Sequence, residues 1–153
     1  SWLGKKEYDK AIEDLSRSLE LDAKSSQTHV DRAEAHARKK QHVKALDDFE
    51  AALRLEPTNG TAMAAFALWL ASCPEVKFRD GKRALELALK AHQQNKSETR
   101  AIEALAAACA ELGRFEDAVK WAEHALFDPA LRDDTEARQR LEAYRKQKPY
   151  RAE

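Results

Sequence analysis

The chain has 153 residues, with 27 lysines and arginines balancing 27 aspartates and glutamates. That length supports a sizeable buried core, and the zero net charge disfavours nucleic acid as a main partner, because such binders carry a basic excess. The longest apolar run, residues 62–71, falls well short of the about 20 residues a membrane-crossing helix needs.

Apolar and small residues recur along the chain at helical spacing. Residues 1–25 carry Tyr8, Ala11, Ile12, Leu15, Ser18 and Leu19, a face predicting the end of one helix followed by a complete second one. Residues 26–59 open with His29, Arg32, Ala33 and His36, then continue with His42, Ala45, Leu46, Phe49, Ala52 and Leu53. Each matched pair, such as Tyr8 with His42 and Ala11 with Ala45, is 34 residues apart. Residues 60–98 repeat the scheme with Met63, Phe66, Ala67 and Leu70, a long turn, and Ala84, Leu85, Ala88 and Ala91. Ala45 to Ala84 is 39 residues, so this unit has about five extra. Residues 99–127 give Ile102, Leu105, Ala106 and Cys109, then Phe115, Ala118, Val119 and Ala122; Ala84 to Ala118 is again 34. In residues 128–153 a last helix over 130–147 has a sparse stripe of Leu131, Leu141 and Tyr144, and Pro149 is expected to stop it.

The first half of each unit shares one order: large, large, small, large, on one helical face. Two antiparallel helices approach closely only where a side chain is nearly absent. Ala33, Ala67 and Ala106 should therefore mark the crossings, with Ala45, Ala84 and Ala118 facing them. Gly113 suits a left-handed helix end, and 58–61, 80–81 and 97–98 read as helix boundaries.

A 34-residue helix–turn–helix with these slots resembles the tetratricopeptide repeat (TPR) family, over nearly the whole chain. The long turn over 71–84 and the ending over 144–151 are similar to those of some bacterial members. The resemblance implies an all-α, right-handed solenoid of antiparallel helix pairs with a C-terminal capping helix, and no enzyme activity. It departs from the family pattern at His29, Arg32 and His36, where large aromatic or aliphatic residues are usual.

By the same resemblance the first helix of each pair lines a concave groove that takes a protein or peptide. Residues one step off the packing face would line it: Gln27, Val30, Glu34 and Arg38; then Thr61, Ala64, Leu68 and Ala71; then Arg100, Glu103 and Ala107. Family members that clamp a chaperone's terminal carboxylate use Lys, Asn and Arg there. Val30, Asp31, Glu34, Ala64, Ala65 and Leu68 would repel or ignore a carboxylate, so no such clamp is expected.

Self-assembly is the second reading. The first unit looks cut, leaving Trp2, Leu3, Tyr8, Ile12, Leu15 and Leu19 as an open apolar edge for a second copy. A regulatory appendage to an upstream catalytic domain is the third. No signal peptide is visible, and a cytoplasmic location is favoured.

Little chemistry is legible. There is no His-Glu-x-x-His, no Cys-x2-Cys and no clustered glycine loop, so no catalytic residue, cofactor or metal is expected. His29, His36 and His42 stand in packing slots; a metal-binding or pH-sensing cluster is the sharper alternative. Cys109 should be buried and Cys73, in the long turn, more exposed. Trp69 and Trp121 are expected to pack in the core rather than face a ligand.

Overall fold

A computed structural model describes the backbone of residues 2–152 and the side chains of residues 4–152. Among the described residues there are eight α-helices and no strand. They are α1 (Trp2–Leu21), α2 (Ser26–Arg38), α3 (His42–Leu55), α4 (Gly60–Ser72), α5 (Gly81–Gln94), α6 (Thr99–Glu111), α7 (Phe115–Ala125) and α8 (Thr135–Arg145). The chain forms two compact units, Ser1–Ala62 and Met63–Glu153.

In the first unit α2 packs on both α1 and α3. Ala33 of α2 and Ala45 of α3 are fully buried, as expected of residues that let two backbones approach. Ser25 caps α2 by accepting the Thr28 amide, and the buried Ser26 hydroxyl donates to the Ala52 carbonyl at 3.2 Å. That bond ties the start of α2 to the end of α3. One expectation fails here. Residues 1–25 hold a single 20-residue helix, not the end of one helix and then another. Gly4 lies inside α1. An interior glycine costs a helix only about 1 kcal/mol, and running through it keeps the ladder of i to i−4 hydrogen bonds. The side chains of Trp2 and Leu3, two residues of the expected open edge, lie outside the described ones.

In the second unit α5 packs on α6, α6 on α7 and α7 on α8. Ala67, Ala84, Ala106 and Ala118 are all buried. Eight residues separate α4 from α5, against three between α2 and α3 and three between α6 and α7. The extra length forms a 3-10 turn over Val76–Phe78. It folds Arg79 back, so that its guanidinium donates to the Cys73 carbonyl at 3.0 Å. Cys73 is consequently buried, contrary to expectation. Burial pushes both thiols, Cys73 and Cys109, above the usual range, which disfavours a reactive thiolate. Leu131 lies outside the last helix: residues 128–134 form turns, and α8 begins only where Asp134 accepts the Ala137 amide.

Three helix ends share one device. After α2, α6 and α8 a residue turns left-handed: Lys40 (φ 60°), Gly113 (φ 76°) and Gln147 (φ 56°). In each case the next amide reaches back five residues: Gln41 to His36, Arg114 to Cys109 and Lys148 to Ala143. So α8 ends by the same turn that separates paired helices, before Pro149 is reached. A β-carbon in this conformation costs about 1 kcal/mol. Lys40→Gly should therefore raise stability by about 0.5–1 kcal/mol, part being offset by glycine's larger unfolded entropy. Gly113→Ala should lower it by about 1 kcal/mol, through the backbone alone, because an added Cβ there would meet nothing within 4 Å. Urea denaturation of the two variants checks both signs.

Candidate functional site

In the first unit, the surface expected to meet a partner lies on α2. Gln27 and Arg38 are exposed and Glu34 is half-buried. Gln27 Nε2 donates to Asp31 Oδ1 at 2.8 Å, so Asp31, one of the two acids expected to repel a carboxylate, is held on this face. Val30, by contrast, is 0% exposed and has no surface to offer. On α4 Thr61 is exposed and Leu68 half-buried, while Ala64 and Ala71 are buried. The helix is apolar on all sides and is buried almost throughout, the pattern of an interior helix. On α6 Arg100 and Glu103 are half-buried, and Ala107 is buried at 5% exposure. Val30, Ala64, Ala71 and Ala107 are thus corrected from surface to packing positions. A residue one step round a helix from its packing face meets solvent only if no second neighbour covers that angle.

Glu103 is also engaged within the molecule. Arg140 of α8 reaches across and pairs with it. Burial pushes the Glu103 carboxyl above its usual range, and Arg140 and Arg100 only partly oppose this. Arg140 lies in turn over the ring of Tyr150, 5.7 Å from its centroid.

Beneath the α2 face is a charged cluster whose centre the sequence reading missed. Asp48 of α3 is 4% exposed and sits on the buried stripe of Ala45, Phe49 and Ala52. Arg32 grips it with two bonds, Nε to Oδ2 and Nη2 to Oδ1, both 2.8 Å. His29 Nδ1 is 3.1 Å from Oδ1; an ionised carboxylate only accepts, so that nitrogen holds the proton. His36 Nε2 lies 3.8 Å from Oδ2, too long for a hydrogen bond, and its Nδ1 is 2.7 Å from Gln41 Oε1. Arg32 also donates to Ser16 of α1 at 3.2 Å. The cluster therefore links all three helices of the first unit. Burial alone would raise the Asp48 carboxyl, but the bonds from Arg32 and His29 outweigh it and hold the group below its usual range.

The histidines occupy packing slots with polar partners. Among the described residues no group of three or more His, Cys, Asp or Glu side chains is placed to hold a metal ion. Trp69 is buried against Phe66 and Phe78, with ring centroids 6.1 and 5.9 Å away. Trp121 lies between His92 and His124, at 5.1 and 6.0 Å. On α1, Tyr8, Ile12 and Leu15 are half-buried and Leu19 is buried. No described helix is long and apolar enough to cross a membrane.

The second feature missed from sequence is the segment after α8. Residues 148–152 form no helix and fold back over the second unit. The Ala152 amide donates to the Ser72 carbonyl at the end of α4, at 2.9 Å. Nothing in the local pattern of Lys148-Pro149-Tyr150-Arg151-Ala152 announces this, since it depends on partners as far as 40 and 80 residues away, Glu111 and Ser72.

The sequence profile of the family described as tetratricopeptide repeat matches residues 5–138. No curated protein matches the chain.

Proposed function

The chain belongs to the tetratricopeptide repeat family, and from that premise we propose that it is a protein-interaction scaffold that takes a peptide or partner protein on the first helices of its repeats. Members of this family generally mediate protein–protein contacts, and they are typically non-catalytic. The observation that most supports the reading here is Leu68. It is a large apolar side chain left half-exposed on a helix that is otherwise almost wholly buried. In the second unit the half-buried Arg100 of α6, and in the first unit, taken by itself, Gln27, Glu34 and Arg38 of α2 with exposed Thr61, offer polar groups to a partner. On each unit such a surface suits a partner that combines apolar and polar side chains. It does not suit a terminal carboxylate, and no chaperone-type clamp is proposed.

Leu68→Glu tests the reading. Paired pull-downs from source lysate with wild type and variant should show at least one captured protein lost from the variant. Mass by light scattering and helix content should stay unchanged. Identical captured sets would refute the proposal. A change of mass would favour self-assembly, the alternative that the half-exposed Tyr8, Ile12 and Leu15 of α1 leave open.

A further inference from the structure

Residues 148–152 are bound by the second unit in the way a peptide is bound by a receptor. Three helices each take a different part of the segment. The Ser72 carbonyl of α4, one of the last carbonyls that a helix leaves without an internal partner, accepts the Ala152 amide at 2.9 Å. On α6, Glu111 Oε2 lies 2.7 Å from the Arg151 guanidinium. The approach is off the hydrogen-bonding direction, so charge attraction rather than an aligned bond holds the pair. On α8, Arg140 covers the Tyr150 ring and Glu136 accepts its hydroxyl at 3.3 Å. The ring itself packs against the apolar cluster built by α6, α7 and α8. Backbone capture, an aromatic slot and one charge pair are the elements of extended-peptide recognition.

The seating is shallow. Pro149, Tyr150, Arg151 and Ala152 are each only half-buried, and Lys148 is exposed. A core element would be covered; this segment rests on the surface and can leave without opening the helices beneath it. The location also matters. Ser72 lies one turn beyond Leu68, and its hydroxyl bonds the Leu68 carbonyl at 2.6 Å. Arg140, which covers Tyr150, is also the partner of Glu103. The segment therefore ends on the helix turn that follows Leu68, the residue assigned above to partner binding.

We propose that residues 148–152 are an intramolecular occupant of a peptide site on the second unit, and that the partner they exclude is an extended segment bearing an aromatic residue followed by arginine. This rests on the scaffold reading and names the chemistry of its ligand. The partner's aromatic ring takes the Tyr150 slot under Arg140, its arginine takes Glu111, and its next amide takes the Ser72 carbonyl. A tethered competitor acts at an effective concentration in the mM range, so the site is closed to weak ligands and opens to those that outcompete the tether.

The probe is a fluorescein-labelled peptide of sequence Lys-Pro-Tyr-Arg-Ala. In the full chain, the double variant Tyr150→Ala, Arg151→Glu releases the tether. Fluorescence polarisation should show the peptide binding this variant at least about 10-fold more tightly than wild type. Adding Glu111→Gln should weaken that binding several-fold, yet leave unchanged the binding of a peptide with glutamine in place of arginine. Equal binding to both chains, or binding to neither, overturns the proposal and leaves the segment a fixed strut. If the double variant lost helix content, wild type itself gives the answer: excess unlabelled peptide should speed hydrogen exchange at the Ala152 amide, and an unchanged rate overturns the idea. Should the peptide fail while Leu68→Glu still loses a captured protein, the scaffold reading stands and this inference alone falls.

Discussion

Replacing Asp48 with alanine should destabilise the protein by about 3 kcal/mol, the lower end of the range for breaking a buried ion pair by removing one partner. The loss comes less from the attraction that disappears than from what remains. Arg32, with 24% of its side chain exposed, keeps its charge but has lost the carboxylate that took two of its donors. His29 loses its acceptor as well. The lower end applies because Arg32 retains some water and its bond to Ser16. Removing both charges should behave differently. Arg32→Leu with Asp48→Leu replaces the buried pair with apolar side chains, at position 32 the kind the family pattern prefers, and should lie within about 1 kcal/mol of wild type. Hydrogen exchange should place the loss in the single variant on α2 and α3.

The same pair fixes a sign against pH. The Asp48 carboxyl is held below its usual range in the folded protein. Its contribution is therefore present above the unfolded value of about 4 and is lost as pH falls through the folded value. The gap in stability between wild type and Asp48→Ala should be full at neutral pH and narrow steadily in acid below about pH 4. A gap that widened in acid would contradict the assignment. Urea titrations at neutral pH and in acid decide it.

What sequence could and could not disclose follows from the range of the interactions. The small packing positions were legible because Ala33 and Ala45, and Ala106 and Ala118, all buried, answer to a local rule: close helices need a missing side chain. The helix end at Gly113 was legible for a similar reason. Lys40 and Gln147 adopt the same left-handed turn without glycine, and only their position in the repeat hints at it. Asp48 left an indirect trace in the sequence. His29, Arg32 and His36 place three potential donors on the mating face of α2, and such a face requires an acceptor opposite. The candidate stood three residues after Ala45, on the buried stripe of α3. The binding surface was half legible. Periodicity gives the angle of Val30, Ala64 and Ala107 around their helices, but not which other element covers that angle. The seating of residues 148–152 was not legible at all, because its contacts on α4 and α6 are set by packing, not by any local pattern.

Tyr144 shows how a sparse stripe can still carry a helix. It is 1% exposed, and the residues buried around it are mostly small: Ala106, Cys109, Ala110, Ala118 and Ala122, with Leu141 beside them. One large ring fills the space that alanines on α6 and α7 leave open. Tyr144→Ala should lower stability by about 3–5 kcal/mol, because alanines have no longer rotamer with which to refill the void. For a chain of this length that corresponds to a fall in Tm of roughly 6–20 °C. The ring does this work without its hydroxyl. The oxygen is buried and has no hydrogen-bond partner among the described residues, and burial pushes the phenol far above its usual range, so it stays neutral. Tyr144→Phe removes an unsatisfied group and keeps the volume; it should be neutral or stabilise by up to about 1 kcal/mol. A phenylalanine variant as weak as the alanine one would mean that the hydroxyl, not the ring, holds α8 in place. Hydrogen exchange adds a second check, since the alanine variant should first lose protection in α8 and in the faces of α6 and α7 that it covers. The tethered segment should loosen with it, because Arg140 and Glu136, which hold Tyr150, both sit on that helix.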